Sequence, residues 1–211
     1  MTLIANIRTD YKKQSLSEND VDKNPVVQFD KWWADALHSE ITEVNAMTLA
    51  TATPDGKPSA RIVLLKGFDE NGFVFFTNYN SRKGNELLNN PQAALVFFWK
   101  ELERQVRIEG TIAKINEADS DTYFASRPAN SQIGAWASPQ STIIPGRQIL
   151  EDNMIQYNNQ FGENIPRPAH WGGYIIQPVL MEFWQGRPDR LHDRIQYTLN
   201  KSSWTINRLA P

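Results

Sequence analysis

Short apolar stretches separated by tight turns recur along this sequence, and their spacing constrains the fold more than any other feature. Residues 46–53 alternate between apolar and polar side chains, and a Pro-Asp-Gly turn at 54–56 separates them from a second stretch at 59–67. A third stretch, 72–77, follows an Asn-Gly pair, which is typical of a hairpin turn. Because strands joined by such short connections pair in opposite directions, the spacing predicts an antiparallel sheet.

The rest of the sequence adds strands and a few helices. Strands are predicted at 93–99, 104–115, 174–180, 191–198 and 204–208, and helices beginning at Pro25, Ser81, Asn116 and Gly146. The first helix is expected to bury Phe29, Trp33, Ala36 and Leu37, and a loop is expected after Pro128. Strands and helices do not alternate regularly, which disfavours a doubly wound sheet. The predicted fold class is mainly β with peripheral helices (α+β), an antiparallel barrel.

The polar, aperiodic segment 1–24 is predicted to be a flexible arm, and residues 25–211 to be a single domain.

Composition then excludes several functions. The 211 residues include 22 Lys and Arg against 24 Asp and Glu, a balance that argues against a dedicated nucleic-acid-binding protein. With no cysteine and three histidines, no metal site is predicted. No stretch approaches the roughly 20 apolar residues that span a bilayer. We expect a cytoplasmic protein without a membrane partner.

Four clusters of cations are candidate binding sites for anions. The first places Arg61 and Lys66 at the ends of an apolar strand. Because residues five apart face opposite sides of a strand, these cations either serve different anions or a bulge redirects one of them. The second sets Arg82 and Lys83 at a helix N-terminus, where free N–H groups and the helix dipole favour a phosphate.

The third cluster predicts Tyr123 and Arg127 on one face of a helix, with Ser131 just past the break at Pro128. A hydroxyl, a guanidinium and a second hydroxyl suit a phosphate. The alternative for these three clusters is an ordinary surface: solvated strand ends, a polar turn and an exposed helix end.

In the fourth cluster, Arg190, His192 and Arg194 alternate, so an extended strand would place all three on one face, with Trp184 a few residues upstream. The alternative here is a charged edge strand, which protects against aggregation. Positive charge concentrated locally in a chain of net charge −2 favours two phosphorylated small molecules over one long polyanion. The residues alone leave the reaction open.

Motifs that carry a family resemblance extend over nearly the whole chain: RIVLLK at 61–66, SRK at 81–83, ERQV at 103–106, SRP at 126–128, SQIGAW at 131–136, EFWQG at 182–186, RLHDR at 190–194 and RLAP at 208–211. With these motifs the sequence resembles the pyridoxine/pyridoxamine 5′-phosphate oxidase family. The resemblance implies an FMN-binding split β-barrel that forms a homodimer, with FMN at the subunit interface.

The resemblance also implies roles for individual residues. FMN contacts fall on Arg61, Lys66, Phe76, Thr77, Arg82, Lys83, Gln105, Gln140, Ser141, Trp184 and Arg194. Substrate contacts fall on Lys66, Tyr123, Arg127, Ser131, Arg190 and His192, and Arg8 and Tyr11 of the arm are expected to cover the substrate. Arg190 and His192 are the catalytic candidates.

The activity implied by the resemblance is oxidation of pyridoxine 5′-phosphate and pyridoxamine 5′-phosphate to pyridoxal 5′-phosphate. In this reaction O2 accepts the electrons, hydrogen peroxide forms, and the amine releases ammonia. It is the last step in the synthesis and salvage of the vitamin B6 cofactor. Two alternatives stay open: a nicotinamide-dependent flavin reductase of the same fold, and a non-catalytic protein that binds FMN or pyridoxal phosphate.

Overall fold

The computed structural model describes Ile4 and residues 10–211, which form five α-helices and nine β-strands. In chain order these are α1 (Pro25–Leu37), β1 (Ala46–Ala52), β2 (Pro58–Leu64), β3 (Gly67–Asp69), β4 (Gly72–Asn78), α2 (Arg82–Asn89), β5 (Gln92–Trp99), β6 (Arg104–Lys114), α3 (Glu117–Ala125), α4 (Ala129–Ala137), α5 (Gln148–Phe161), β7 (Trp171–Gln185), β8 (Asp193–Asn200) and β9 (Ser203–Arg208).

The strands belong to one sheet, hydrogen-bonded in the order β2-β1-β5-β6-β7-β4-β3, with β8 paired to β7 and β9 to β8. The β3–β4, β4–β7, β7–β8 and β8–β9 pairs are antiparallel. Phe75 of β4 lies opposite Tyr174, for example, and Phe183 of β7 lies opposite Ile195. The predicted fold class, mainly β with peripheral helices, is confirmed.

The described chain divides into two compact units. The first contains the residues up to 49, together with 94–110 and 178–211. Helix α1 supplies part of its core: Phe29 packs against Phe97, with ring centroids 5.2 Å apart, and Trp32 meets Phe183 edge-on at the same separation. The predicted buried stripe of α1 was partly wrong, because Trp32 is buried while Leu37 is 56% exposed.

The second unit contains residues 50–93 and 111–177. The loop expected after Pro128 is in fact helix α4, which was missed because a proline normally stops a helix. Here Pro128 stands at the N-cap position with φ −54° and ψ 140°, outside the helix that it precedes. Ile133 and Ala137 are the buried residues of α4.

The division into an arm at 1–24 and one domain at 25–211 stays a prediction. None of the described helices combines the length and the apolar character needed to cross a bilayer.

Candidate functional site

A cavity of about 520 Å³ in the second unit contains the densest group of predicted site residues. Four cationic side chains line it: Arg61, Lys66, Lys83 and Arg127. Its other lining residues are Ile62, Val63, Leu64, Phe76, Thr77, Asn78, Tyr123, Pro128, Ser131, Gln140 and Trp171. No carboxylate is among these lining residues, so the cavity presents positive charge and suits an anionic ligand.

The first two cations reach the cavity because β2 stops between them. Strand β2 ends at Leu64 and β3 begins at Gly67, so Lys66 lies outside regular strand structure. The backbone N–H of Lys66 donates to the carbonyl of Val74 at 2.8 Å, which fixes this connection. Of the two predicted alternatives, opposite faces or one redirected cation, the structure has the second, since Arg61 and Lys66 line the same cavity.

Glu86, a buried residue of α2, organises one side of this region. Its carboxylate accepts hydrogen bonds from the Thr51 and Ser59 hydroxyls at 2.5 and 2.6 Å and from Arg82 Nε at 2.9 Å. Arg61 Nη2 lies 3.4 Å from the same group. Burial opposes ionisation of Glu86, but these hydrogen bonds and the charge of Arg61 prevail and lower its pKa to about 2. Two cations therefore have a carboxylate partner.

Lys83 has only neutral partners at its ammonium group among the hydrogen bonds of the described residues. Its Nζ donates to Gln140 Oε1 at 2.8 Å, to Thr77 Oγ1 at 3.1 Å and to Ser81 Oγ at 3.4 Å. Burial, and then the charge of Arg61, lower the pKa of Lys83 from 10.5 to about 8. Its neighbour Arg82 has a side chain that is 63% exposed and does not line the cavity. The two adjacent cations therefore face different surroundings.

The third cluster comes together, although not as one helix face. Helix α3 ends at Ala125, so the prediction that Tyr123 and Arg127 share a helix was wrong. Both nevertheless line the cavity, as does Ser131 from the first turn of α4. Because the chain turns at Pro128, residues on two helices reach the same space.

Arg127 is the least compensated of the part-buried cations of the cavity, the fourth cation, Lys66, being exposed to solvent. Its Nη1 is buried and has no hydrogen-bond partner, the only such buried side-chain nitrogen or oxygen among the described residues. The guanidinium lies over the ring of Trp171, 4.5 Å from the centroid, and 5.5 Å from that of Phe124. Burial lowers the pKa of Arg127. A buried donor of this kind is costly until an acceptor arrives.

Stacked aromatic rings form one wall of the cavity. Phe76 stacks on Tyr123 with centroids 3.9 Å apart and on Trp171 at 5.4 Å. Lys66 Nζ lies 5.9 Å from the Tyr123 ring. Cations beside an aromatic wall suit a ligand that has both an anionic group and an apolar ring.

The fourth cluster lies in the first unit, and its predicted geometry was wrong in part. Strand β8 begins only at Asp193. Arg190 lies in a turn after Pro188 and has a left-handed φ of 62°. Arg190, His192 and Arg194 therefore do not alternate along one strand face. His192 packs instead against Trp184, with centroids 4.6 Å apart.

Arg194 and His192 are held by hydrogen bonds. Arg194 Nε donates to Glu182 Oε1 at 2.7 Å, and Arg107 Nη2 donates to the other oxygen of Glu182 at 2.5 Å. The backbone N–H of Arg187 donates to His192 Nδ1 at 3.1 Å. Burial, and then the charge of Arg190, lower the pKa of His192. A neutral imidazole that accepts at Nδ1 carries its proton on Nε2.

Four predicted site residues remain: Gln105, Ser141, Tyr11 and Arg8. Gln105 lies half-buried on β6 in the first unit, and Ser141 is exposed after α4 with a left-handed φ of 70°. Tyr11 meets the ring of Trp184 edge-on at 5.7 Å. Arg8 lies outside the described residues.

Sequence reasoning missed Glu86 and Trp171. The four-residue spacing between Arg82 and Glu86 on α2 was a signal for an ion pair. Nothing in the sequence distinguished Trp171 from the other tryptophans.

Comparison with known proteins decides the family. Residues 34–161 match the family described as pyridoxamine 5′-phosphate oxidase, and residues 171–211 match the pyridoxine 5′-phosphate oxidase C-terminal dimerisation region. The chain belongs to the pyridoxamine 5′-phosphate oxidase family. The resemblance drawn from the motifs is thus confirmed, and the chain is an oxidoreductase of this family.

Relatives match over the full length of this family member. A pyridoxine/pyridoxamine 5′-phosphate oxidase from Nostoc sp. is 61% identical over 210 residues, covering 99% of this chain and 98% of the relative. One from Burkholderia mallei is 59% identical over 214 residues, with both chains fully covered.

Two solved structures share the fold. PhzG from Burkholderia lata, in complex with tetrahydrophenazine-1-carboxylic acid, has a TM-score of 0.88 at 31% identity, covering 93% of this chain and 98% of PhzG. A pyridoxamine 5′-phosphate oxidase-related, FMN binding protein from Nostoc punctiforme has a TM-score of 0.70 at 18% identity, covering 87% and 97% of the two chains.

Proposed function

We propose that this chain is an FMN-dependent oxidase that converts pyridoxine 5′-phosphate and pyridoxamine 5′-phosphate to pyridoxal 5′-phosphate. The observation that carries the proposal is the cavity lined by four cations and no carboxylate, with an unpaired guanidinium nitrogen on Arg127. Cofactor and substrate are both phosphorylated aromatic rings. The names of relatives at 61% and 59% identity support this choice of substrates.

The residues present fit FMN. Of the residues assigned to it by resemblance, six line the cavity: Arg61, Lys66, Phe76, Thr77, Lys83 and Gln140. Arg61 and Lys83 supply positive charge for a phosphate, and Phe76 belongs to the aromatic wall. When bound, FMN supplies a ring that takes two electrons from C4′ of the substrate and passes them to O2.

The chain's own residues bind and orient the substrate. Arg127, Tyr123 and Ser131 offer a guanidinium and two hydroxyls to its phosphate. Because the phosphate is remote from C4′, this binding energy serves to orient the reacting carbon. His192 would donate a hydrogen bond from Nε2 to the substrate, since its Nδ1 accepts from the Arg187 N–H. Orientation, rather than proton removal, is therefore the role that its tautomer supports. Arg190 would help His192 to orient the substrate.

The overall reactions balance with O2 as acceptor. Pyridoxine 5′-phosphate and O2 give pyridoxal 5′-phosphate and hydrogen peroxide. Pyridoxamine 5′-phosphate, O2 and water give pyridoxal 5′-phosphate, ammonia and hydrogen peroxide. The proposal includes a homodimer, supported by the match of residues 171–211 to a dimerisation region.

The purified protein tests the proposal directly. We expect a flavin absorption spectrum, aldehyde formation from both substrates in air, one peroxide per aldehyde, and sedimentation at twice the 24.2 kDa chain mass. NADH oxidation with free flavin, without aldehyde formation, would reassign the chain as a flavin reductase. A bound flavin without turnover of either substrate would indicate a non-catalytic flavin-binding protein.

A second candidate substrate is supported by the likeness of this chain to PhzG at 31% identity. Its carboxylated tricyclic ligand is also an anionic ring compound. Tetrahydrophenazine-1-carboxylic acid therefore belongs in the same assay. A higher kcat/KM for this compound than for pyridoxine 5′-phosphate would overturn the proposed substrates.

A further inference from the structure

Glu103 opens the ERQV motif and has no role in the site described above. It follows a short 3-10 turn at Lys100–Leu102 and has a left-handed φ of 55°. Glu103 is buried, with 7% of its surface exposed. A buried carboxylate in this backbone conformation is costly unless hydrogen bonds compensate it.

The compensation comes from the N-terminal arm. Glu103 Oε2 accepts from the backbone N–H groups of Lys12 at 2.9 Å and Lys13 at 3.0 Å. The side chains of these lysines point to other groups: Lys12 Nζ lies 3.3 Å from Asp10, and Lys13 Nζ donates to the carbonyl of Glu101. Glu103 therefore holds the main chain of the arm, and this contact does not depend on the side chains at positions 12 and 13.

The backbone of Glu103 holds a second segment. Its carbonyl accepts from the N–H of Gly186 at 2.7 Å and from Gln185 Nε2 at 3.2 Å. Gly186 in turn supports the arm, because a Cβ there would lie 2.6 Å from Cγ of Tyr11. A single residue thus joins the arm to the end of β7 through both its side chain and its main chain.

We infer that Glu103 is a positioning residue: it anchors the arm so that Tyr11 stands against Gly186, Trp184 and His192. The Tyr11 ring lies 5.7 Å from that of Trp184 and 6.0 Å from that of His192, edge-on to both. The consequence for the reaction rests on the proposed function, in which His192 and the arm serve the substrate. The anchoring itself rests only on the contacts of Glu103.

Hydrogen exchange on the flavin-loaded full-length protein tests the anchoring. Glu103→Ala should speed exchange of the Lys12 and Lys13 amides about tenfold or more, because each loses a charge-assisted hydrogen bond. Glu101→Ala removes the same charge two residues away and should leave both amides protected. Glu103→Gln retains one acceptor oxygen and should restore part of the protection. Equal exchange in the Glu103→Ala and Glu101→Ala proteins would overturn the inference.

Kinetics test the positioning. Glu103→Ala should raise KM for pyridoxine 5′-phosphate about tenfold while kcat and flavin content change less than about twofold. Gly186→Ala should raise KM similarly by displacing Tyr11. It should add almost nothing in a Tyr11→Gly background, which also lacks the Tyr11 Cβ that would lie 2.8 Å from the new methyl group. An equal effect of Gly186→Ala in both backgrounds would contradict the packing argument. If the wild type oxidises no pyridoxine 5′-phosphate, the proposed function fails alone, and the exchange experiment still decides the role of Glu103.

Discussion

Replacing Arg127 by Met separates the stability of the protein from its affinity for phosphate. The substitution removes a buried nitrogen without a hydrogen bond, which costs the ligand-free protein about 1–3 kcal/mol. It also removes the stacking on Trp171, which contributes about 0.5–2 kcal/mol. These effects oppose each other, so the free energy of unfolding should change between a loss of about 1 and a gain of about 2.5 kcal/mol.

Binding should change far more than stability. A charge-assisted hydrogen bond to phosphate is worth about 1.5–3 kcal/mol, so Kd for pyridoxine 5′-phosphate should rise about 10- to 150-fold. We would measure Kd by anaerobic calorimetry on protein whose flavin has been reduced beforehand, so that the substrate is not oxidised during the titration, and unfolding by urea titration.

Arg167→Met is the matched control for this experiment. Arg167 also contacts Trp171, donating to its carbonyl at 2.7 Å, but it is paired with Asp121 at 2.5 Å and does not line the cavity. It should lower stability and leave Kd unchanged. If Arg127→Met keeps Kd within twofold of the wild-type value, Arg127 does not receive the substrate phosphate.

Three more predictions follow from the titratable groups. FMN affinity should fall as pH rises through about 8, by at most about tenfold per pH unit, because Lys83 loses the proton that favours an anion; Lys83→Arg should abolish this dependence in fluorescence titrations. The wild type should lose stability as pH falls from 4.5 toward about 2, because folding depresses the pKa of Glu86. Glu86→Gln should flatten that slope in urea titrations, and it should lower stability at neutral pH by about 3 kcal/mol because Arg61 and Arg82 lose their carboxylate partner. His192→Gln keeps a donor and should retain kcat/KM within about tenfold, whereas the loss of a catalytic base costs about 10²- to 10⁴-fold.

The fold was predictable where a local signal determines the structure. Apolar alternation and turn residues placed β1, β2 and β4 within a few residues of their observed limits. Helix α4 was not predictable in the same way, because Pro128 stops one helix and also stands at the N-cap of the next. The turn at Arg190 was missed because its alternating sequence resembles a strand, while the left-handed backbone there is set by tertiary structure.

The candidate site was predictable as a set of residue types but not as an arrangement. Charged side chains near turns identified Arg61, Lys83 and Arg127 as candidates for binding anions. The sequence does not show which of them is already neutralised, because the partner of Arg61 is Glu86, twenty-five residues away. Nor does it show that Glu103 holds backbone groups of the arm ninety residues distant.

The partners of the cations explain how one cavity tolerates so much positive charge and still attracts anions. Arg61 is paired with a carboxylate, Lys83 has neutral oxygens, and Arg127 has a buried nitrogen with no hydrogen-bond partner. Among these three part-buried cations, compensation therefore decreases from Arg61 to Arg127, while the fourth, Lys66, is exposed to solvent. Because an uncompensated buried donor gains most from a new acceptor, an incoming phosphate should be stabilised most strongly at Arg127. The same buried charge disfavours the empty site, so ligand binding should stabilise this unit more than its contact area alone predicts.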